Sequence, residues 1–141
     1  RAYLNIIFTA NWMEANMQQK LKDFNITAPQ FNVLRILRGQ KGKPMSAYAI
    51  QERMIHRTSN VTRILEKLVE KKLVTRESST VNRRMIDVKL TEEGLQLINS
   101  TDCIAIEAYS QMSAAISDQE AKQMGDWLDK LRDVPVGNSM C

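Results

Sequence analysis

The side chains best placed to do chemistry here are not those of an enzyme. His56 is the only histidine, and no cysteine or acid cluster lies near it in sequence. Cys103 and Cys141 have neither metal-ligand nor disulfide spacing. No Ser/His/Asp set, phosphate loop or nucleotide fingerprint occurs, so no catalytic residue, metal site or cofactor is expected. What stands out is a polar run, Thr58-Ser59-Asn60-Val61-Thr62-Arg63, continued by Lys67, and further on the pair Arg83-Arg84. Hydroxyl, amide and guanidinium groups on one helical face suit hydrogen bonding to base edges in a major groove, where Arg reads guanine. An arginine pair on a turn suits phosphates or a narrow minor groove.

The charge distribution agrees. Eleven basic and five acidic residues lie between Lys43 and Leu90, a net of +6, whereas the rest of the chain carries −2. A basic module between slightly acidic flanks fits an anionic partner such as double-stranded DNA. The competing reading is a solvated surface on which Arg63 and Lys67 pair with Glu66 and Glu70. The 141 residues, 43% hydrophobic and 26% charged, indicate one folded domain that needs no disulfides. No apolar run approaches the roughly 20 residues of a membrane span, so no membrane partner is expected. The two cysteines suit a reducing cytoplasm.

The elements that must position these residues follow from periodicity and capping. Ala2 to Phe24 lacks Gly and Pro and reads as one long helix, with Leu4, Ile7, Phe8, Met13, Met17 and Leu21 at helical intervals. Thr27-Ala28-Pro29-Gln30 is a capping box with Pro in the first turn, and its helix ends at Gly39 or Gly42. Ser46 caps a third helix. A short break at Ile55-His56-Arg57 leads to a fourth, about Thr58 to Lys71, with Val61, Ile64, Leu65 and Leu68 inward and Ser59, Arg63 and Lys67 outward. The period then changes to two: Val74–Ser78 and Arg84–Leu90 read as a hairpin with a basic tip, turning at Ser79–Asn82. Thr91 caps a helix running to about Ser113, and Ser117-Asp118-Gln119-Glu120 starts the last one.

Residues Thr27 to Gly94 resemble the core of the MarR family of bacterial regulators. The matching pieces are Ile26-Thr27 with Gln30 and Val33-Leu34, the run Thr58 to Arg63 with Leu68, and Leu73-Val74-Thr75-Arg76. Asn82-Arg83-Arg84 and Val88-Lys89-Leu90-Thr91-Glu92-Glu93-Gly94 follow. The resemblance implies a mainly α fold with a small β-hairpin wing: a winged helix-turn-helix flanked by N- and C-terminal dimerisation helices. Residues 1–141 then form a single domain, with the DNA-binding lobe at about 27–94 and dimerisation helices at about 1–24 and 95–133. It also implies a transcriptional regulator, a ligand-responsive repressor working as a homodimer on a palindromic operator. The DNA-contacting set is Thr58, Ser59, Asn60, Thr62, Arg63, Lys67, Arg83 and Arg84. Many members bind a small aromatic effector between the dimer helices and the DNA-binding lobe. The alternative is a winged-helix module for protein–protein assembly without specific DNA binding.

The family's wing motif has Asp where this chain has Asn82. The acid steadies the wing by pairing with its arginine, so a looser wing is expected here. Cys103 reads as a small packing residue, and no cysteine lies near the first helix, where the peroxide-sensing branch carries its reactive thiol. Met13, Met17, Met112 and Met124 read as core filling in preference to a ligand pocket. His56 reads as a surface or DNA-backbone contact. The terminal helices carry more apolar surface than one small lobe can bury, which again points to a homodimer.

Overall fold

The computed structural model describes residues 1–134 and divides the chain into two compact units, residues 1–104 and residues from 105 onward. In the first unit, α1 (Ala2–Leu21) is followed by a 3₁₀ turn (Lys22–Phe24), α2 (Ala28–Gly39), β1 (Met45–Ser46), α3 (Ala47–Arg53) and α4 (Val61–Glu70). Then come β2 (Val74–Ser78), β3 (Ile86–Leu90), α5 (Glu92–Ser100) and the start of α6 (Asp102–Ala115). The second unit holds the rest of α6 and α7 (Asp118–Asp133). The protein is thus mainly helical, with one small antiparallel sheet in the order β1-β3-β2. Pro135, Gly137 and Cys141 lie outside the described residues.

Capping decides where the helices begin. Thr27 accepts from the Gln30 backbone N–H, and Gln30 Oε1 accepts from that of Thr27 at 3.1 Å, so two orphan donors of α2 are satisfied reciprocally. Ser46 accepts from Ala49 N–H, Thr91 from Gly94 N–H and Ser117 from Glu120 N–H, each three residues on. Inside the first unit, α2 contributes Phe31, Val33, Leu34 and Leu37 to the core, α4 contributes Val61, Leu65 and Leu68, and Val88 and Ile98 close it from β3 and α5.

Besides the start of α4, four boundaries differ from the periodicity reading. The first helix stops at Leu21 because the chain tightens into a 3₁₀ turn and Asn25, at φ 53°, donates its N–H back to Lys22 O. Met45 and Ser46 form a strand that pairs with Val88 and Asp87, a two-residue element too short to show alternation. The second hairpin strand starts at Ile86, not Arg84. The helix expected from Thr91 to Ser113 breaks at the buried Thr101: its hydroxyl donates to Ile98 O at 2.6 Å, and Arg38 Nη1 reaches the same carbonyl at 3.3 Å. The Thr101 backbone N–H donates to the same carbonyl at 3.3 Å, closing α5 in a tight turn, and α6 starts afresh with Asp102 paired to Arg38 at 2.8 Å.

Both ends of the chain keep large apolar side chains in solvent. On α1, Tyr3, Leu4, Phe8 and Trp12 are exposed, and only Leu21 of that helix is buried. In the second unit, Ile106, Tyr109, Trp127 and Leu131 are exposed, and α7 buries no residue. Cys103, expected to pack inside, is exposed. No helix among the described residues is long and apolar enough to cross a membrane.

Candidate nucleic-acid interface

The polar run sits where a helix begins. Asn60 adopts an extended conformation (φ −75°, ψ 90°), and its Oδ1 accepts from Arg63 N–H at 3.1 Å, making it the N-cap of α4. The helix therefore starts at Val61, and Thr58 and Ser59 belong to the connecting segment rather than to its first turn. This corrects the expected start at Thr58: the side-chain oxygen of Asn60 replaces a missing intrahelical partner, which only a residue outside the helix does. Capping occupies that oxygen and leaves the Asn60 amide nitrogen for an external acceptor. Along α4, Val61, Leu65 and Leu68 are buried, whereas Thr62, Arg63, Glu66, Lys67 and Glu70 are exposed. Lys67 pairs with Glu70 at 2.9 Å, so half of the solvated-surface reading holds. Arg63 pairs with neither Glu66 nor Glu70. Among the described residues, Arg63, Arg83 and Arg84 form no ion pair.

The segment between α3 and α4 is held from several directions. Met54 is buried, and Ile55 N–H donates to Asn32 Oδ1 on α2 at 2.9 Å. His56 Nε2 lies 3.3 Å from Glu14 Oε1 on α1. Gln51 Nε2 donates to Arg57 O at 3.2 Å, and Ser59 N–H to His56 O at 3.1 Å. Sequence reasoning missed Glu14 and Asn32 altogether. They lie far from the segment in the chain, and nothing local marks them. At the other end of α4, Lys71 Nζ donates to Asn25 O and Gln30 Oε1, tying the helix to the start of α2.

The hairpin tip is organised by two side chains. Ser79 is buried, and its Oγ accepts from Val81 and Asn82 N–H at 3.3 and 3.4 Å, while its own N–H donates to Met85 O at 2.9 Å. Asn82 Oδ1 accepts from the Arg84 backbone N–H at 3.1 Å. The turn is thus built from bonds to backbone, and the guanidinium of Arg84 is not needed for them. Arg83 and Arg84 are exposed at this tip.

Beneath the connecting segment is a cavity of about 460 Å³, walled by Met13 and Met17 of α1, Phe31 and Arg35 of α2, and Met54 to His56. Of the methionines assigned to core filling, Met13 and Met17 line this cavity, and Met17 also packs against the core. No group of three or more metal-ligating side chains occurs among the described residues.

A MarR family model matches residues 26–86, from the last turn before α2 to the start of β3. The match takes in rather less than half of the chain, so it is this segment that resembles the MarR family. The sheet and helices around α4 have the winged helix-turn-helix arrangement. The HTH-type transcriptional repressor IacR of Pseudomonas putida is 26% identical over 114 residues, 81% of this chain and 67% of that protein. The crystal structure of the Staphylococcus aureus MepR–DNA complex superposes with a TM-score of 0.80 and 26% identity, covering 92% of this chain and 94% of that one. BpsR of Bordetella bronchiseptica, whose DNA binding is regulated by 6-hydroxynicotinic acid, superposes with a TM-score of 0.83 at 23% identity, over 95% and 94% of the two chains. The HTH-type transcriptional regulator MhqR of Bacillus subtilis is 22% identical over 116 residues, 82% of this chain and 79% of that protein.

Proposed function

We propose that this chain is a MarR-family regulator, a sequence-specific DNA-binding repressor that acts in the cytoplasm as a homodimer on a palindromic operator. The observation that carries the reading is the exposed face of α4, where Arg63 stands free of the acids beside it. α4 enters the major groove, with Arg63 and Thr62 at base edges and Thr58, Ser59, Asn60 and Lys67 at the groove's margin. The hairpin is the wing, with Arg83 and Arg84 at phosphates or in the adjacent minor groove. MepR, of the same fold, is known bound to DNA, and IacR is a repressor.

The dimer is supported by the exposed Tyr3, Leu4, Phe8 and Trp12 at one end of the chain and Ile106, Tyr109, Trp127 and Leu131 at the other. Apolar surface on this scale is rarely left to water. The cavity of about 460 Å³, with its methionine and Phe31 walls, suits a small aromatic effector. An effector that binds better when the two recognition helices are wrongly spaced would release DNA. The test is selection of bound duplexes from a random pool at low salt. A palindrome whose affinity falls steeply with added salt is expected. Recovery of no consensus, or a species that stays monomeric at micromolar concentration, would count against it.

A further inference from the structure

We propose that Glu14 and His56 form a proton-dependent clasp that presets the segment leading into α4, so that DNA affinity rises as pH falls through the range in which imidazole titrates. The inference rests on the DNA-binding reading of α4. The clasp spans two elements that nothing else in sequence connects: Glu14 is on α1, His56 in the α3–α4 segment, and their Oε1 and Nε2 atoms are 3.3 Å apart. Both side chains are about half exposed, 46% and 56%.

His56 is coupled to the start of α4 by short steps. Its carbonyl accepts from Ser59 N–H at 3.1 Å, and the next residue, Asn60, is the cap of the helix. Thr58 and Ser59, two of the proposed DNA contacts, lie inside this stretch. Three side-chain tethers hold the segment: Asn32 to Ile55 N–H, Gln51 to Arg57 O, and Glu14 to His56. The first two are between neutral groups and do not change with pH. The third is an ion pair when imidazole is protonated and only a hydrogen bond from an uncharged ring to the carboxylate when it is not.

Arg35 of α2 lines the same cavity, and Arg53 and Arg57 flank His56 in the chain. All three are arginines and keep their charge throughout, so the pH dependence belongs to His56. The sign follows directly. Below the imidazole range the clasp is charged, the segment is ordered before DNA arrives, and less ordering entropy is lost on binding. Above it the clasp weakens and that advantage goes. A half-exposed pair supports an effect of about two- to five-fold per protomer.

The experiment measures affinity for the selected duplex at pH 6 and pH 8, at fixed ionic strength, for wild type, Glu14→Gln and His56→Gln. Hydrogen exchange of residues 55–60 in the free protein, corrected for intrinsic rates, is followed in parallel. Wild type is expected to bind tighter and protect this segment better at pH 6, and both differences should shrink in both variants. Glu14→Gln decides between a clasp and direct attraction of imidazolium to phosphate. If that variant keeps the wild-type pH profile, the clasp is overturned, and so it is if wild type shows no pH dependence in either readout. Protection that depends on pH and on Glu14, in a protein that binds no DNA, would support the clasp and refute the DNA-binding reading.

Discussion

Replacing Gly94 with alanine should destabilise the protein through a single close approach of two backbones. Gly94 lies in the first turn of α5, and a Cβ built on it would stand 2.0 Å from Leu73 O, 2.9 Å from Leu73 C and 3.2 Å from Leu90 Cδ2. The first distance is about 1 Å or more short of van der Waals contact, and the obstacle is backbone, which cannot rotate aside. The start of α5 would have to back away from the turn between α4 and β2. Three hydrogen bonds cross or brace that approach: Thr91 N–H to Leu73 O at 3.1 Å, Thr91 Oγ1 to Lys72 O at 2.7 Å, and Gly94 N–H to Thr91 Oγ1 at 2.9 Å. Overpacking costs about 1–3 kcal/mol, and each weakened hydrogen bond up to about 1 kcal/mol more. The helical preference of Ala over Gly returns about 0.5–1 kcal/mol. The net loss should be about 2–4 kcal/mol, or a fall in Tm of roughly 7–15 °C for a chain of this size. Thermal melting followed by circular dichroism, at one fixed protein concentration so that any self-association is held constant, measures it. Gly125→Ala on α7 is the control: nothing lies within 4 Å of its Cβ, so it should hold or slightly raise stability. A Gly94→Ala variant that melts within about 2 °C of wild type would refute the steric argument.

Arg63→Ala should reduce discrimination between operator and random DNA by about 1–3 kcal/mol, the worth of one bidentate base contact. Arg84→Ala should weaken both about equally, and competition binding separates the two; equal losses for Arg63→Ala would remove it from the base-reading set. Ser79→Ala should loosen the wing more than Asn82→Asp, because the Ser79 hydroxyl holds two turn N–H groups and an aspartate could still accept from Arg84 N–H. Hydrogen exchange over residues 80–86 that ranks the variants the other way would contradict this. On α7, the backbone N–H of Ser117 and then its hydroxyl hold the Glu120 carboxyl below its ordinary value. The depressed value means that its stabilisation is complete above the ordinary carboxylate range and disappears as pH falls through the lowered one. Protection of α7 in wild type should therefore exceed that in Glu120→Gln at neutral pH and converge with it in acid; a gap that stays constant would show that the charge is irrelevant.

Much of this fold was legible because its signals are local. Thr27, Ser46, Thr91 and Ser117 announce their helices since a cap and the N–H groups that it satisfies lie within three residues. The 3.6-residue recurrence of Val61, Leu65 and Leu68 fixed the outward face of α4 for the same reason, as a helix imposes its own geometry on near neighbours. The change of period after Leu73 marked the hairpin, and the basic segment marked the surface. The capping role of Asn60 is hidden in the sequence, because a cap and a polar surface residue are the same residue type until the helix start is known. What lay beyond sequence were pairings between distant residues. Glu14 meets His56, Asn32 meets Ile55, and Arg38 meets both Ile98 O and Asp102, breaking a helix that periodicity would have continued. β1 exists only because β3 lies beside it. The close approach of Gly94 to Leu73 appears as an unremarkable glycine in the chain and as a steric necessity in three dimensions. Chain periodicity specifies which face is apolar, but only packing decides which element covers that face and which side chains then come within hydrogen-bonding reach.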